Sequence, residues 1–191
     1  SIYDVKVLDA NGYGQLSDVL AGIDWVIYHA KQYNIRVMNL SLAADSTESY
    51  VTDPLCRAVR SAVAAGITVV VAAGNFGKSA SGVETFGTVS SPGHEPSVIT
   101  VGATNLRGTI QRSDDTVNFF SSRGPTRGAY FDAGGVRRLD NLIKPDLVAP
   151  GNKIIGALPT DNQSMNHYAY LPATYPQLTT VAGWTPAQGK S

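Results

Sequence analysis

The stretch that most constrains this chain is the apolar run at residues 67 to 73, ITVVVAA, which stops on Gly74 and Asn75. It is too short for an ordinary helix, it is rich in β-branched side chains, and it lacks the polar alternation of a strand with one wet face. Such a strand belongs at the centre of a sheet covered on both sides, the setting of parallel α/β folds. The run also poses a question: why a buried strand should end by presenting one amide.

The flanking segments agree with that setting. Residues 2 to 8, with Val5, Val7 and Leu8, read as a strand that closes at the turn-rich DANGYG. Ser17 can cap a helix in which Val19, Leu20, Ile23, Val26, Ile27 and Ala30 recur at helical spacing through about Lys31. A strand follows at residues 36 to 42, RVMNLSL. Asp53 and Pro54 then form a helix start, a capping carboxylate followed by a ring already set at helical φ, with Leu55, Val59, Ala62 and Val63 on the inner face and Gly66 at the end.

After residues 67 to 73 comes another strand at 97 to 103, SVITVGA, and shorter candidates at 117 to 120 and 153 to 158. Strands and helices that alternate through short connections predict βαβ units in a parallel β-sheet with helices on both faces. Residues 159 to 191, rich in Pro, Tyr, Thr and Gly, read as surface loop, so the expected organisation is one domain over 1–158 and a loop-rich segment over 159–191.

Composition removes several classes of function. A chain of 191 residues with 43% hydrophobic content can bury one core. Its 15 basic and 15 acidic side chains give no net charge, which leaves no electrostatic case for nucleic acid or an anionic membrane as partner. No stretch reaches the roughly 18 consecutive apolar residues of a membrane span. The opening SIYDVKVLD lacks the basic start and long apolar core of a signal peptide. Cys56, the single cysteine, sits between Leu55 and Val59 in a helical pattern and reads as a core thiol; no disulfide framework is available, and the redox compartment stays open.

In an open parallel sheet, ligands bind beyond the carboxyl ends of the strands. Three such ends occur here, at Gly12-Tyr13-Gly14, Ser41-Leu42-Ala43 and Gly74-Asn75. Asparagine after glycine is also a common turn former, and the glycines also suit tight turns. The functional reading of Asn75 is a rigid amide donor aimed at a developing negative charge, and that of the glycines is close approach by an extended ligand. Gly12-x-Gly14 opens a dinucleotide fingerprint as well, but Ser17 stands where the third glycine belongs and no acidic residue closes the second strand.

Six blocks, VKVLDANGYGQLSDVLAGIDW, VMNLSLA, GITVVVAAGN, SSPGHEPSVITVGAT, FFSSRGP and IKPDLVAPG, occur in an order and spacing similar to the subtilisin-like serine peptidases, the subtilases, over residues 2 to about 158. The resemblance implies their three-layer α/β fold, incomplete here, and acyl-enzyme hydrolysis of peptide bonds. Asn75 matches the oxyanion-hole asparagine. Gly12, Tyr13 and Gly14, with Leu16, match the segment that holds the substrate backbone on one side, and Ser41, Leu42 and Ala43 the segment on the other. Ala72, Ala73 and Gly74, with Leu42, match the walls of the pocket for the residue before the scissile bond, expected to be apolar and uncharged. Ala43 departs from the family, which usually has glycine there.

Gly93, Glu95 and Val98 resemble a loop that holds a weak calcium or sodium ion in some members; bland loop is the other reading, and no cofactor is required. The resemblance makes an extended peptide or protein the partner, and an extracellular or secreted setting the default.

A serine peptidase needs a nucleophilic hydroxyl, an imidazole base and an orienting carboxylate. The family's Asp and His precede the first block and its Ser follows the last in a Gly-Thr-Ser-Met-Ala motif, and none of the three motifs stands in this sequence. His29, His94 and His167 read as structural or solvated, Ser90 and Ser91 lack a nucleophile elbow, Asp114-Asp115 reads as a charged turn, and histidine pairs at metal spacing are absent. The expectation is a substrate-binding core that is inactive alone and needs flanking segments of the same polypeptide. Its uncovered faces would promote self-association, and the alternative is a non-catalytic peptide-binding or self-associating domain.

Overall fold

The computed structural model describes residues 1–9 and 11–154, and the fold below is that of the compact unit Ser1–Asn152. Helix α1 runs Leu16–Tyr33, strand β1 Val37–Leu40, helix α2 Pro54–Ala64, β2 Thr68–Ala72 and β3 Ile99–Asn105. Short strands follow at β4 Thr116–Val117, β5 Ala129–Phe131, β6 Arg137–Leu139 and β7 Leu147–Pro150.

The apolar run becomes β2 and lies between β1 and β3, parallel to both, with Leu40 opposite Val71 and Val71 opposite Thr100. β7 adds a further parallel strand on β3, and β4 pairs antiparallel with its end. The chain is thus a parallel sheet with helices. α1 and α2 pack on each other and share one core: Val19, Ile23 and Val26 meet Leu55, Val59 and Ala62 over Met38, Leu40, Val69 and Val71. Both described helices serve this face, while Val37 and Ile99 stay exposed.

Helix α2 forms as its residues dictate. Asp53 accepts a hydrogen bond from Cys56 N, Pro54 occupies the first turn, and Gly66 at φ 86° stops the helix. Helix α1 differs from expectation at its start, which lies at Leu16 after Gln15 with no capping side chain, so Ser17 is inside the helix. Its end is set by Asn34, at φ 53°.

Three strand expectations need correction. Residues 2 to 8 form no strand: the segment stands across a cleft of about 910 Å³ from β1, the edge strand among the described residues, and exchanges no ladder hydrogen bonds with it. Val5 and Val7 still pack against the core. The candidate at 117 to 120 shrinks to Thr116–Val117. The candidate at 153 to 158 lies outside the described residues after Ile154, and the strand of this region is instead β7. The segment 159–191 and His167 also lie outside them.

Candidate active-site cleft

Beyond Ala72, the carboxyl end of β2 is held by two serines. Gly74 adopts φ 106°, and a Cβ there would meet Ser90 Oγ at 2.4 Å and Ser122 Oγ at 2.9 Å, so glycine alone fits. Ser122 N donates to Gly74 O (3.0 Å), and Ser122 Oγ accepts from Phe76 N (3.0 Å). Asn75, between these anchors, is exposed. The turn that presents the amide is fixed on both flanks.

The same serine-rich loop gathers a second strand end. Ser90 N donates to Ala73 O (3.0 Å), and Ala44 and Ser91 exchange a pair of backbone hydrogen bonds (2.9 and 3.0 Å). Residues 41–44 and 72–75 are therefore stitched to either side of 89–91. Ser41 and Ala43 are exposed, Ser41 Oγ accepts from Asn39 Nδ2 (3.0 Å), and Leu42 packs partly on the core. Ala73 is buried at 1% exposure while Ala72 is half-buried, as the pleat sends them to opposite faces.

The turn at Gly12-Tyr13-Gly14 is built separately. Asp9 N donates to Tyr13 O (2.7 Å), and Asp9 Oδ1 accepts from Asn11 N and Tyr13 N (both 2.9 Å). These backbone donors, Tyr13 N foremost, hold the Asp9 carboxyl below its usual range. Tyr13 and Leu16 are exposed, and the turn lines a cleft with Lys6, Leu8 and Asp18. No hydrogen bond joins it to the 41–44 or 72–75 segments among the described residues.

Beside Phe76 and Ser90 opens a cavity of about 340 Å³ whose lining includes Asp45, Glu48, His94 and Arg127. Leu42, Ala72, Ala73 and Gly74, the walls expected for an apolar pocket, are not among its lining residues. Ser90, Ser122 and Arg127 carry no role in the sequence reading; the FFSSRGP block holds Ser122, but nothing local shows which strand end it clamps.

Below the cleft lies a buried polar cluster of Asp53, Cys56 and His94, with one polar atom of each within 4.8 Å of the others. Sequence spacing shows no such grouping. Asp53 Oδ1 accepts from Cys56 N (3.0 Å) and Ser91 Oγ (2.9 Å), and Oδ2 accepts from Ser46 Oγ (2.7 Å). Burial pushes its carboxyl up, but these bonds and the nearby His94 ring outweigh it, so the group stays ionised to lower pH than usual.

Burial pushes the Cys56 thiol well up, and the charges of Asp53 and Glu95 push it the same way, so it holds its proton and is no nucleophile. Ser91 spends its hydroxyl proton on Asp53, and His94 Nε2 has no hydrogen-bond partner among the described residues. The cluster pins the start of α2 under the 90–95 loop. His29 is also structural: its Nδ1 meets Trp25 O at 2.8 Å and its ring stacks on Trp25. Asp114 accepts from Thr109 within its own turn.

The loop marked for a weak cation is occupied by the chain's own donors. Gly93 O accepts from Thr100 Oγ1 (2.7 Å), Val98 O accepts from Lys144 Nζ (2.9 Å), and the buried Glu95 pairs with Arg60 and accepts from Ser97.

Comparison with known proteins places this architecture. The Subtilase family model matches residues 1–184, and the chain belongs to the subtilase family. It is 40% identical over 164 residues to "Serine protease AprX" of Bacillus subtilis (strain 168), covering 81% of this chain and 32% of that protein. It is 36% identical over 190 residues to "Subtilisin-like protease 1" of Arthroderma gypseum, covering 94% of this chain and 32% of that one. Among solved structures it is similar to "S41 Psychrophilic Protease" (TM-score 0.53, 30% identity, 76% of this chain and 41% of that one) and to "Sphericase" (TM-score 0.55, 28% identity, 77% and 42%). The chain spans about a third of the length of these curated relatives.

Proposed function

We propose that this chain supplies the oxyanion donor and part of the substrate cleft of a serine endopeptidase, and that the nucleophile, base and orienting carboxylate come from other segments of the same polypeptide. The observation that carries the reading is the Gly74-Asn75 turn, clamped by Ser90 and Ser122 so that one exposed amide stands at the carboxyl end of the central strand. An amide held this way stabilises charge that forms on the scissile carbonyl oxygen only in the transition state. Ser41 to Ala43 would hold an extended substrate on one side and the Gly12 to Gly14 turn, with Leu16, on the other, by backbone pairing.

The chain alone is expected to be inactive, since an oxyanion donor acts only on a reaction that a nucleophile has begun. Export from the cell rests on the family alone. The experiment is Asn75→Ala in the intact polypeptide. Turnover should fall about 10²- to 10³-fold, a magnitude taken from the same substitution type in subtilisin itself, while KM changes little. Unchanged turnover would remove the role given to Asn75.

A second reading, a peptide-holding or self-associating domain without catalysis, is favoured by one feature. β1 is the edge strand among the described residues, and the cleft of about 910 Å³ beside it is lined by Val5, Val7, Val19, Ile23, Met38 and Leu40. Tight, stoichiometric binding of a labelled apolar peptide by the isolated chain, with no cleavage by the intact polypeptide, would favour that reading.

A further inference from the structure

The subtilase resemblance marks Gly93, Glu95 and Val98 as a place where some members hold a weak cation, and the residues present do not fit one. The Val98 carbonyl, an oxygen such an ion would need, accepts from Lys144 Nζ at 2.9 Å. The same ammonium donates to Asp146 Oδ2 at 2.7 Å, and the Lys144 side chain is only 3% exposed. An ion entering here would share its oxygens with a positive charge already in hydrogen-bond contact with both.

We infer that Lys144 is the resident cation of this corner: its ammonium takes the charge and the oxygen ligands of a metal ion, and holds the 93–98 loop without one. The surroundings are built around that group. Asp146 Oδ2 also accepts from Thr100 N (2.7 Å), while Asp146 N donates to Thr100 O (2.9 Å), so the carboxylate is fixed to the first residues of β3. Thr100 Oγ1 in turn holds Gly93 O. The Lys144 backbone is pressed against Gly124, where a Cβ would meet Lys144 O at 2.4 Å, so the stem of the side chain has a fixed origin. One ammonium therefore ties the start of β3, the approach to β7 and the loop beside the cleft.

A buried ammonium without its partners is costly, whereas Asp146, whose side chain is 40% exposed, keeps contact with water when its cation is removed. Removing the Lys144 charge should leave Val98 O and Asp146 Oδ2 as a vacant pair of hard oxygen ligands, which oxygen-seeking ions prefer. Ion dependence should appear in the variant and be absent from the parent at this corner.

The test is Lys144→Met in the intact polypeptide, with thermal unfolding followed in choline chloride plus chelator and then with added potassium, sodium or calcium. The parent should show no saturable gain that Lys144→Met lacks. The variant should melt about 5 °C lower and recover about half of that loss with one of the ions. Equal ion responses in variant and parent, a variant that loses stability without any ion response, or no loss of stability would each overturn the assignment. If Lys144→Met does not fold, rubidium soaked into crystals of the unsubstituted protein decides. No rubidium should bind at the Val98 carbonyl, and rubidium bound there with the lysine displaced would contradict the inference.

Discussion

At the scale of single residues, the site depends on backbone conformations that only certain side chains permit. Gly74 combines φ 106° with no room for a methyl group between Ser90 and Ser122. Gly74→Ala is expected to cost about 2 kcal/mol of stability and to misplace Asn75, read as a lowered unfolding midpoint together with reduced turnover. Asp53 carries a different kind of constraint. Its folded pKa is depressed, so its contribution is complete above the unfolded value near pH ~3.9 and is lost as pH falls through the folded value. Asp53→Asn should be about 1 kcal/mol less stable than the parent at pH 7, with the difference shrinking below about pH 4, as denaturant titrations at several pH values would show.

What could be read from single residues follows the same division. Asn75, Gly74 and the Asp53-Pro54 helix start are local signals, legible because capping and turn chemistry act over a few residues. Ser122 and Lys144 act across the fold: one clamps a turn that it reaches only through tertiary structure, the other buries a charge against a carbonyl 46 positions away. Ser17 misled because serine is a favoured cap, while the helix begins at Leu16 without one.

At the scale of elements, the unbroken apolar run predicted a central parallel strand, and β2 lies between β1 and β3 with four and three paired positions. β7 was missed because Pro145, Asp146 and Pro150 break the pattern of a strand, although Leu147 to Pro150 pair with Val101 to Thr104. The segment 2 to 8 has strand-forming side chains and no strand, because pairing belongs to two segments and not to one. Its Val5 and Val7 nevertheless sit on the core next to Gly22, where an added Cβ would meet Val7 Cγ1 at 2.6 Å. Gly22→Val should therefore push this segment off α1 and lower the melting temperature by roughly 3–6 °C in a thermal scan.

At the scale of the whole molecule, the described unit has a well-filled core under one face and uncovered apolar positions elsewhere. Val37 at 60% exposure and Ile99 at 38% lie on the sheet opposite the helices, and Ile2 is 98% exposed. Such surface favours association. Sedimentation of the isolated chain should show concentration-dependent oligomers, and a strictly monomeric chain at high concentration would count against the reading that part of its covering lies in other segments. No helix among the described residues is long and apolar enough to cross a membrane.

On the proposed reading, Asn75 faces the oxyanion of a peptide lying along residues 41–43. A crystal structure of the intact polypeptide with a peptide boronate bound as a tetrahedral mimic would show this contact. Asn75 Nδ2 should lie about 2.7–3.1 Å from the boronate oxygen that replaces the scissile carbonyl, with the peptide backbone paired to Ser41 and Ala43. A boronate oxygen held by other donors, with the Asn75 amide turned away from it, would rule out Asn75 as the oxyanion donor.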